Sequence, residues 1–337
     1  MKVFEILKNP TGVEAIHRAE RPEPKPGPHD VLVRLRAAAL NYRDHAIVTG
    51  SYRYNLDHDT IPCSDGAGDV VAVGANVTRF KVGDRVIPTF FQVWIDGAPP
   101  KNRGALGAPL DGTLAEYISL HEDGFVAMPK SLSYEEAATL PCAGPTAWNA
   151  LMNAGARIKP GDTVLCLGTG GVSMFALQFA RAAGARVIVT SSSDEKIERA
   201  RKLGASDGVN YKTHPEWSRE VRKALGGRGA DLIVELGGAQ TLDQSLRAIR
   251  TSGTLAMIGV LSGAMAELNL GRVVTQNVRL QGVTLGSRDA FEDMVRAIDL
   301  LGARPPIDDR RYAFDEVALA IRAIAEGKHF GKICLAF

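Results

Sequence analysis

Cysteine is scarce in this chain, and so is any long apolar run. Only four cysteines occur in 337 residues, Cys63, Cys142, Cys166 and Cys334, and no two are spaced as a Cys-x-x-Cys pair. That excludes a disulfide framework and a structural zinc knuckle, and it favours a reducing compartment. No stretch reaches the roughly eighteen consecutive apolar residues that a membrane helix needs. The opening MKVFEILKNPTG lacks the apolar centre of a secretory signal. A cytoplasmic protein without a membrane partner is therefore expected. An excess of one charge is missing as well: 40 Lys and Arg stand against 38 Asp and Glu, a net of +2. Such a balance offers no broad field for nucleic acid. What remains, 45% hydrophobic and 23% charged, is an ordinary globular composition with enough length for about two domains.

One stretch stands out, VLCLGTGGVSMFALQFARAAGARVIVTSSSDEK at 164–196. A short apolar run leads at once into Gly168-Thr-Gly170-Gly171-Val172-Ser173, then an apolar-periodic helix that Gly184 stops, then a second Val- and Ile-rich strand at 186–190. Strand, glycine turn, helix and strand in about thirty residues is the setting in which a dinucleotide fingerprint carries meaning. Glycines let the backbone approach a pyrophosphate, which rests on the unpaired N–H groups and positive end of the helix. The third glycine position holds Ser173, small enough to do little harm.

Residues 1–127 read as β-rich. Val31-Leu-Val-Arg-Leu-Arg alternates with period two, 68–73 is an apolar strand, and 81–88 is a turn into another. Short strands so spaced suggest a partly closed barrel. The piece 97–111, GAPPKNRGALGAPLD, has no periodicity and is expected as an exposed loop. From Ser133 the texture changes. A helix follows the Ser133 cap, a second spans 145–154, and buried strands at 231–235 and 253–259 flank a helix at 242–249. A further strand is expected at 278–285. Strands alternating with helices mean a parallel, doubly wound sheet. The tail, with helices at 290–301 and 315–327 and a strand at 332–337, returns to the first domain. The ligand is expected in the cleft between the domains. The expected fold is α/β: a β-rich, partly closed barrel domain at 1–130 and 288–337, and a Rossmann domain at 131–287.

Several pieces together resemble the medium-chain dehydrogenases/reductases over essentially the full length: Asn41-Tyr-Arg-Asp44, Pro62-Cys-Ser-Asp-Gly-Ala-Gly68, Val82-Gly-Asp-Arg-Val86, Ala137-Ala-Thr-Leu-Pro-Cys-Ala-Gly-Pro-Thr-Ala-Trp148 and the GTGGVS turn. Within that family they are more similar to the quinone oxidoreductase branch than to zinc alcohol dehydrogenases, and the resemblance makes the barrel GroES-like. It also places the zinc question. Where the zinc branch carries a cysteine, this chain has Asn41; where it carries His-Glu, this chain has Ser64-Asp65; the third position is kept as Cys142. Amide, hydroxyl and one thiol do not make a tight zinc site, so no metal is expected. Cys142 reads as a buried small residue, and His45, His58 and His121 as surface or satisfied histidines.

Without a Lewis acid, reduction of a quinone or conjugated carbonyl stays feasible, because hydride attacks a carbon already activated and the enolate needs only a donor or acid. The resemblance puts Tyr52 near the nicotinamide as first candidate donor, or as an aromatic of the cleft. Asn41 is the next, polarising a carbonyl or holding the nicotinamide, and Asp65 is expected to orient neighbouring backbone rather than act as an acid. For the cofactor, the acid that takes the ribose 2′-OH of NAD is replaced by Ser191. Ser191, Ser192, Ser193 and Lys196, with Tyr211 where the resemblance implies a tyrosine against the 2′-phosphate, favour NADPH; NADH stays possible if Asp194 reaches the ribose. The resemblance further implies cofactor contacts from Thr146, Gly168, Gly170, Gly171, Val172, Gly259, Val260, Leu285, Gly286, Ser287 and Phe330. Lys332 is expected either near the pyrophosphate or exposed. It also implies a homodimer through the edge strand 278–285. Substrate selection is expected from loops 52–60 and 90–111, where Tyr54, Phe90, Phe91 and Trp94 form an apolar slot or simply anchor the loops. Two alternatives remain open: alcohol or aldehyde oxidation at an unusual metal site of Asn41, Cys142 and Asp65, or an NADPH-binding protein without turnover.

Overall fold

Glycine turns and β-branched runs alternate through residues 163–282 and build one parallel sheet. The computed structural model describes every residue except 53–55, 57 and 155–156, so Tyr54 lies outside the described residues. The chain forms two compact units, 1–145 with 287–337, and 146–286. The first runs past residue 130 because the helix Tyr134–Ala138, with its Ser133 cap accepting from the Glu136 N–H at 3.2 Å, packs on the strands Asp30–Leu40 and Asp65–Val73.

In the second unit the strands lie in the spatial order Asp207–Asn210, Arg186–Ser191, Thr163–Leu167, Ala230–Glu235, Ile249–Met257, Arg279–Gly282, all parallel. Counted along the chain this is 3-2-1-4-5-6, the doubly wound dinucleotide order, with its switch point beside the first strand. Thr163–Leu167 is buried at every position, as a central strand covered on both faces must be. Leu165, Ile188, Ile233 and Leu255 form its core with Trp217 and Leu246. The last strand is the sheet edge and shorter than the sequence suggested, Arg279–Gly282 rather than 278–285.

The first unit carries a seven-stranded sheet around the long strand Asp30–Leu40, which pairs antiparallel with Asp65–Val73, Tyr117–His121 and the C-terminal Ile333–Ala336. The tail thus belongs to this unit, as the GroES-like reading requires. Two expectations are corrected. The segment 97–111 is not exposed throughout: Ala105, Leu106 and Ala108 are buried, and Leu106 fills a core of Val31, Val33 and Val86. The helix expected from Pro145 starts earlier, at Leu140–Met152, with Pro141 in its first turn, where a missing N–H costs nothing.

Candidate active site

The glycine turn lies at the switch point of the second unit. Gly168 has φ +77°, which a side chain would strain, and its N–H donates to Thr190 Oγ1 at 3.3 Å. Gly170 differs: its φ is −79°, and a Cβ built there would meet no protein atom within 4 Å. Protein packing therefore does not require glycine at this position. The open side leaves the first N–H groups of the helix Gly171–Ala182 without a side-chain cap, a ready anion cradle. Ser173, where a glycine was expected, is buried and its hydroxyl donates to the Leu167 carbonyl at 2.7 Å. The extra atoms are absorbed by closing the end of the first strand, worth about 1 kcal/mol.

At the next strand end, Ser193 caps the helix Asp194–Lys202 by accepting from the Lys196 N–H at 3.3 Å. Asn210 pairs in register with Ser191, and the Tyr211 N–H donates to the Ser191 carbonyl at 3.0 Å. Ser191, Ser192, Ser193, Lys196 and Tyr211 are thereby gathered at two adjacent strand ends. Asp194, the acid on which the NADH alternative rests, accepts from Asn210 Nδ2 at 2.9 Å.

Sequence reasoning missed Glu235. It ends the strand Ala230–Glu235 fully buried, its Oε1 accepting from the Gly237 N–H at 2.9 Å, the Gly238 N–H at 3.1 Å and the Thr241 hydroxyl, its Oε2 from Ser245. One carboxylate thus shapes the loop after the fourth strand. Gly259 packs against that loop, since a Cβ there would lie 2.5 Å from the Leu236 carbonyl oxygen. The available signal was an acid closing an apolar run just before 237-Gly-Gly-238. Leu285 adopts φ +120°, a backbone strain that a non-glycine residue holds only when its surroundings impose it; its carbonyl accepts from Asn149 Nδ2.

In the first unit, the residues that interrupt the zinc pattern meet in one buried cluster. The Lys332 ammonium donates to Asp65 Oδ2 at 3.0 Å and to Asn41 Oδ1, while Ser64 Oγ donates to Asp65 Oδ1 at 2.7 Å. Lys332 is 3% exposed, which corrects the exposed alternative of its reading. Burial pulls its pKa down, but the charge and hydrogen bond of Asp65, together with Cys142 and Asp44, outweigh that and hold it above the usual lysine value. Asp65 is corrected too: its carboxylate binds side chains, not neighbouring backbone. Because an ammonium has no acceptor, it fixes the Asn41 amide with Oδ1 towards Lys332 and Nδ2 as the donor. Nδ2 reaches Ser64 Oγ at the long limit of 3.5 Å. Burial, and next Asp65, push the Cys142 thiol up to about 12.

Asp44 sits beneath Asn41, its Oδ2 accepting from the Asn41 N–H at 2.7 Å. Its other oxygen is buried without a partner, and burial raises its pKa from 3.8 to about 6. The folded chain therefore holds a proton that the unfolded chain has released between about pH 4 and 6. The stability contributed by Asp44 falls as pH rises through that window and stays low above it. Asp44→Asn should gain on wild type by up to about 3 kcal/mol at pH 7 relative to pH 4. Urea unfolding at both pH values checks this; an equal difference at each would contradict it.

The remaining expected residues are mixed. Tyr52 is 45% exposed, with the Arg43 guanidinium 5.5 Å from its ring centre. Phe330 is buried and its N–H donates to Asp308 at 2.8 Å; the Ser287 hydroxyl accepts from the Ala290 N–H at 3.2 Å and caps the helix Arg288–Leu301. Phe90 and Trp94 are buried loop anchors rather than an open slot, the Trp94 indole donating to the Gly97 carbonyl at 3.0 Å. Thr146 is buried, Val172 half-buried and Val260 exposed.

Comparison with known proteins agrees with both units. Residues 27–130 match the family described as alcohol dehydrogenase GroES-like domain, and 171–300 that described as zinc-binding dehydrogenase. A zinc-type alcohol dehydrogenase-like protein of Schizosaccharomyces pombe is 43% identical over 318 residues, covering 92% of each chain. The chain belongs to the medium-chain dehydrogenase/reductase family. It is thus an oxidoreductase, with no described helix long and apolar enough to cross a membrane. Among solved medium-chain dehydrogenases/reductases, one from Sinorhizobium meliloti 1021, named as a candidate alcohol dehydrogenase, is 44% identical with a TM-score of 0.92 over 100% of this chain and 99% of that one. A quinone oxidoreductase of Pseudomonas aeruginosa is 32% identical over 96% of each chain.

Proposed function

We propose that this medium-chain dehydrogenase/reductase transfers hydride from NADPH to a quinone or α,β-unsaturated carbonyl without zinc. The observation that carries this is the Lys332 ammonium on Asp65 and Asn41. The donor set does not fit zinc. A dication at Asp65 would meet a buried positive charge about 3 Å from its carboxylate ligand. The other groups are an amide, a hydroxyl and a protonated thiol. Among the described residues, the one group of His, Cys, Asp or Glu side chains close enough to share an ion is Glu5, His17 and Asp59, elsewhere in the unit.

When bound, NADPH supplies the hydride. The chain's own residues do the rest. The uncapped turn at Gly168, Gly170 and Gly171 takes the pyrophosphate, and Ser191, Ser192, Ser193, Lys196 and Tyr211 take the 2′-phosphate. The oriented Asn41 Nδ2 donates to the carbonyl oxygen of the substrate. The Tyr52 hydroxyl is the candidate proton source for the enolate. A homodimer through the edge strand Arg279–Gly282 is in keeping with an unpaired edge.

Support for the second reading, alcohol or aldehyde oxidation, comes from the names of the S. pombe and S. meliloti relatives. Coenzyme kinetics test the NADPH arm. kcat/KM for NADPH should exceed that for NADH by about tenfold or more, and Lys196→Glu should erase the preference, with loss of about 1.5–3 kcal/mol of charge-assisted binding. A native preference for NADH would refute it.

A further inference from the structure

We propose that Ser262 is a positioning residue for the coenzyme, latching the loops after the strands Ala230–Glu235 and Ile249–Met257 into one body that presents Val260 to the nucleotide. The inference rests on the reading that this chain binds a reduced nicotinamide nucleotide. Both loops, 236–241 and 258–263, follow the carboxyl ends of adjacent parallel strands on one side of the switch point, where a doubly wound sheet takes its ligand.

The Ser262 hydroxyl reaches from the second loop into the first. It donates to the Gly237 carbonyl at 2.7 Å and accepts from the Gln240 N–H at 2.9 Å, so one oxygen engages two points of the neighbouring loop. The Ser262 N–H donates to the same Gly237 carbonyl at 2.7 Å, and the Ala239 N–H donates back to the Gly263 carbonyl at 3.0 Å. Close approach is built in. Gly238 has φ +84°, and a Cβ there would lie 2.6 Å from the Gly263 carbonyl oxygen and 2.8 Å from Val260 Cα. Beneath both loops, Glu235 holds the Gly237 and Gly238 N–H groups on its carboxylate, while its main-chain carbonyl accepts from the Ile258 N–H at 2.9 Å. Each loop thus satisfies backbone groups of the other. At the tip of the second, Val260 and Leu261 are each 55% exposed. Apolar side chains held out beside the ligand crevice on a braced frame suit the flat face of a coenzyme ring. The bracing matters because a loop that must be ordered at the moment of binding lowers affinity.

The test uses full-length protein carrying Ser262→Ala, Val260→Ala or both, titrated by fluorescence with whichever of NADPH and NADH wild type binds more tightly. Ser262→Ala should bind it about tenfold more weakly, through loss of two hydrogen bonds and of the ordered loop. Val260→Ala should also weaken binding, and the double variant should bind little worse than Val260→Ala, because the latch acts through that side chain. In nucleotide-free Ser262→Ala, amide hydrogen exchange at Ala239 should quicken while the strand Thr163–Leu167 keeps its protection. Unchanged affinity in either single variant, additive losses in the double, or unchanged exchange at Ala239 each overturns the proposal. So does a Ser262→Ala protein that melts well below wild type, since the hydroxyl would then serve the fold. A wild type that binds neither nucleotide refutes the reading on which the inference rests, whereas wild-type binding left intact by Ser262→Ala refutes the inference alone.

Discussion

Asp65→Asn should cost about 3–5 kcal/mol of folding stability, and a second change, Lys332→Met, should return most of it. The reason is the asymmetry of a buried ion pair. Two charges that satisfy each other at 3.0 Å add little net stability over an apolar pair of the same size, because each gave up water. Removing one strands the other. Asparagine leaves an ammonium, whose pKa now sits above the usual lysine value because of Asp65, in a site with almost no solvent. Asn41 Oδ1 remains as an acceptor but carries no charge. Chemical denaturation of the two single variants and the double gives the coupling directly. A double variant at the sum of the single losses would mean that the two side chains do not depend on each other.

Gly170→Asp should do the opposite: hold or raise stability while reducing cofactor affinity. At φ −79° and ψ −178° the position has the extended backbone of a helix N-cap, and a Cβ would meet nothing in the protein. Aspartate is a preferred cap, so the helix Gly171–Ala182 gains a few tenths up to about 1 kcal/mol. The carboxylate then occupies the N–H groups on which the pyrophosphate is proposed to rest, and adds like-charge repulsion. Loss of one or two charge-assisted hydrogen bonds, about 2–4 kcal/mol, means roughly 30- to 700-fold weaker NADPH binding. Fluorescence titration and a thermal melt separate the two effects. If the variant melts early, glycine is there for the fold rather than for the nucleotide.

Local chemistry explains which features were legible in the sequence. The glycine turn and five of the six parallel strands are written within short windows, where period and turn residues speak for themselves; the short strand Asp207–Asn210 was not read. The Lys332–Asp65 pair was not legible. Its members lie 267 residues apart, and a lysine before a short terminal strand gives no sign of a carboxylate partner until the tail pairs with Asp30–Leu40. The Phe330 N–H donates to Asp308 and the Ser287 hydroxyl accepts from the Ala290 N–H, partners that neither residue discloses by itself. Glu235 was visible as an acid closing an apolar run, but only the fold shows four donors converging on it.

The most direct test of a metal-independent NADPH reductase is turnover by chelator-treated protein, with metal content measured on the same sample. Loss of reduced-nicotinamide absorbance would be followed with NADPH and NADH against a short panel of quinones, enones and simple aldehydes. The expected result is NADPH oxidation with a quinone or enone at full rate in metal-free protein, unchanged by added zinc and slowed in Tyr52→Phe. Activity that vanishes on chelation and returns with one equivalent of zinc would contradict it.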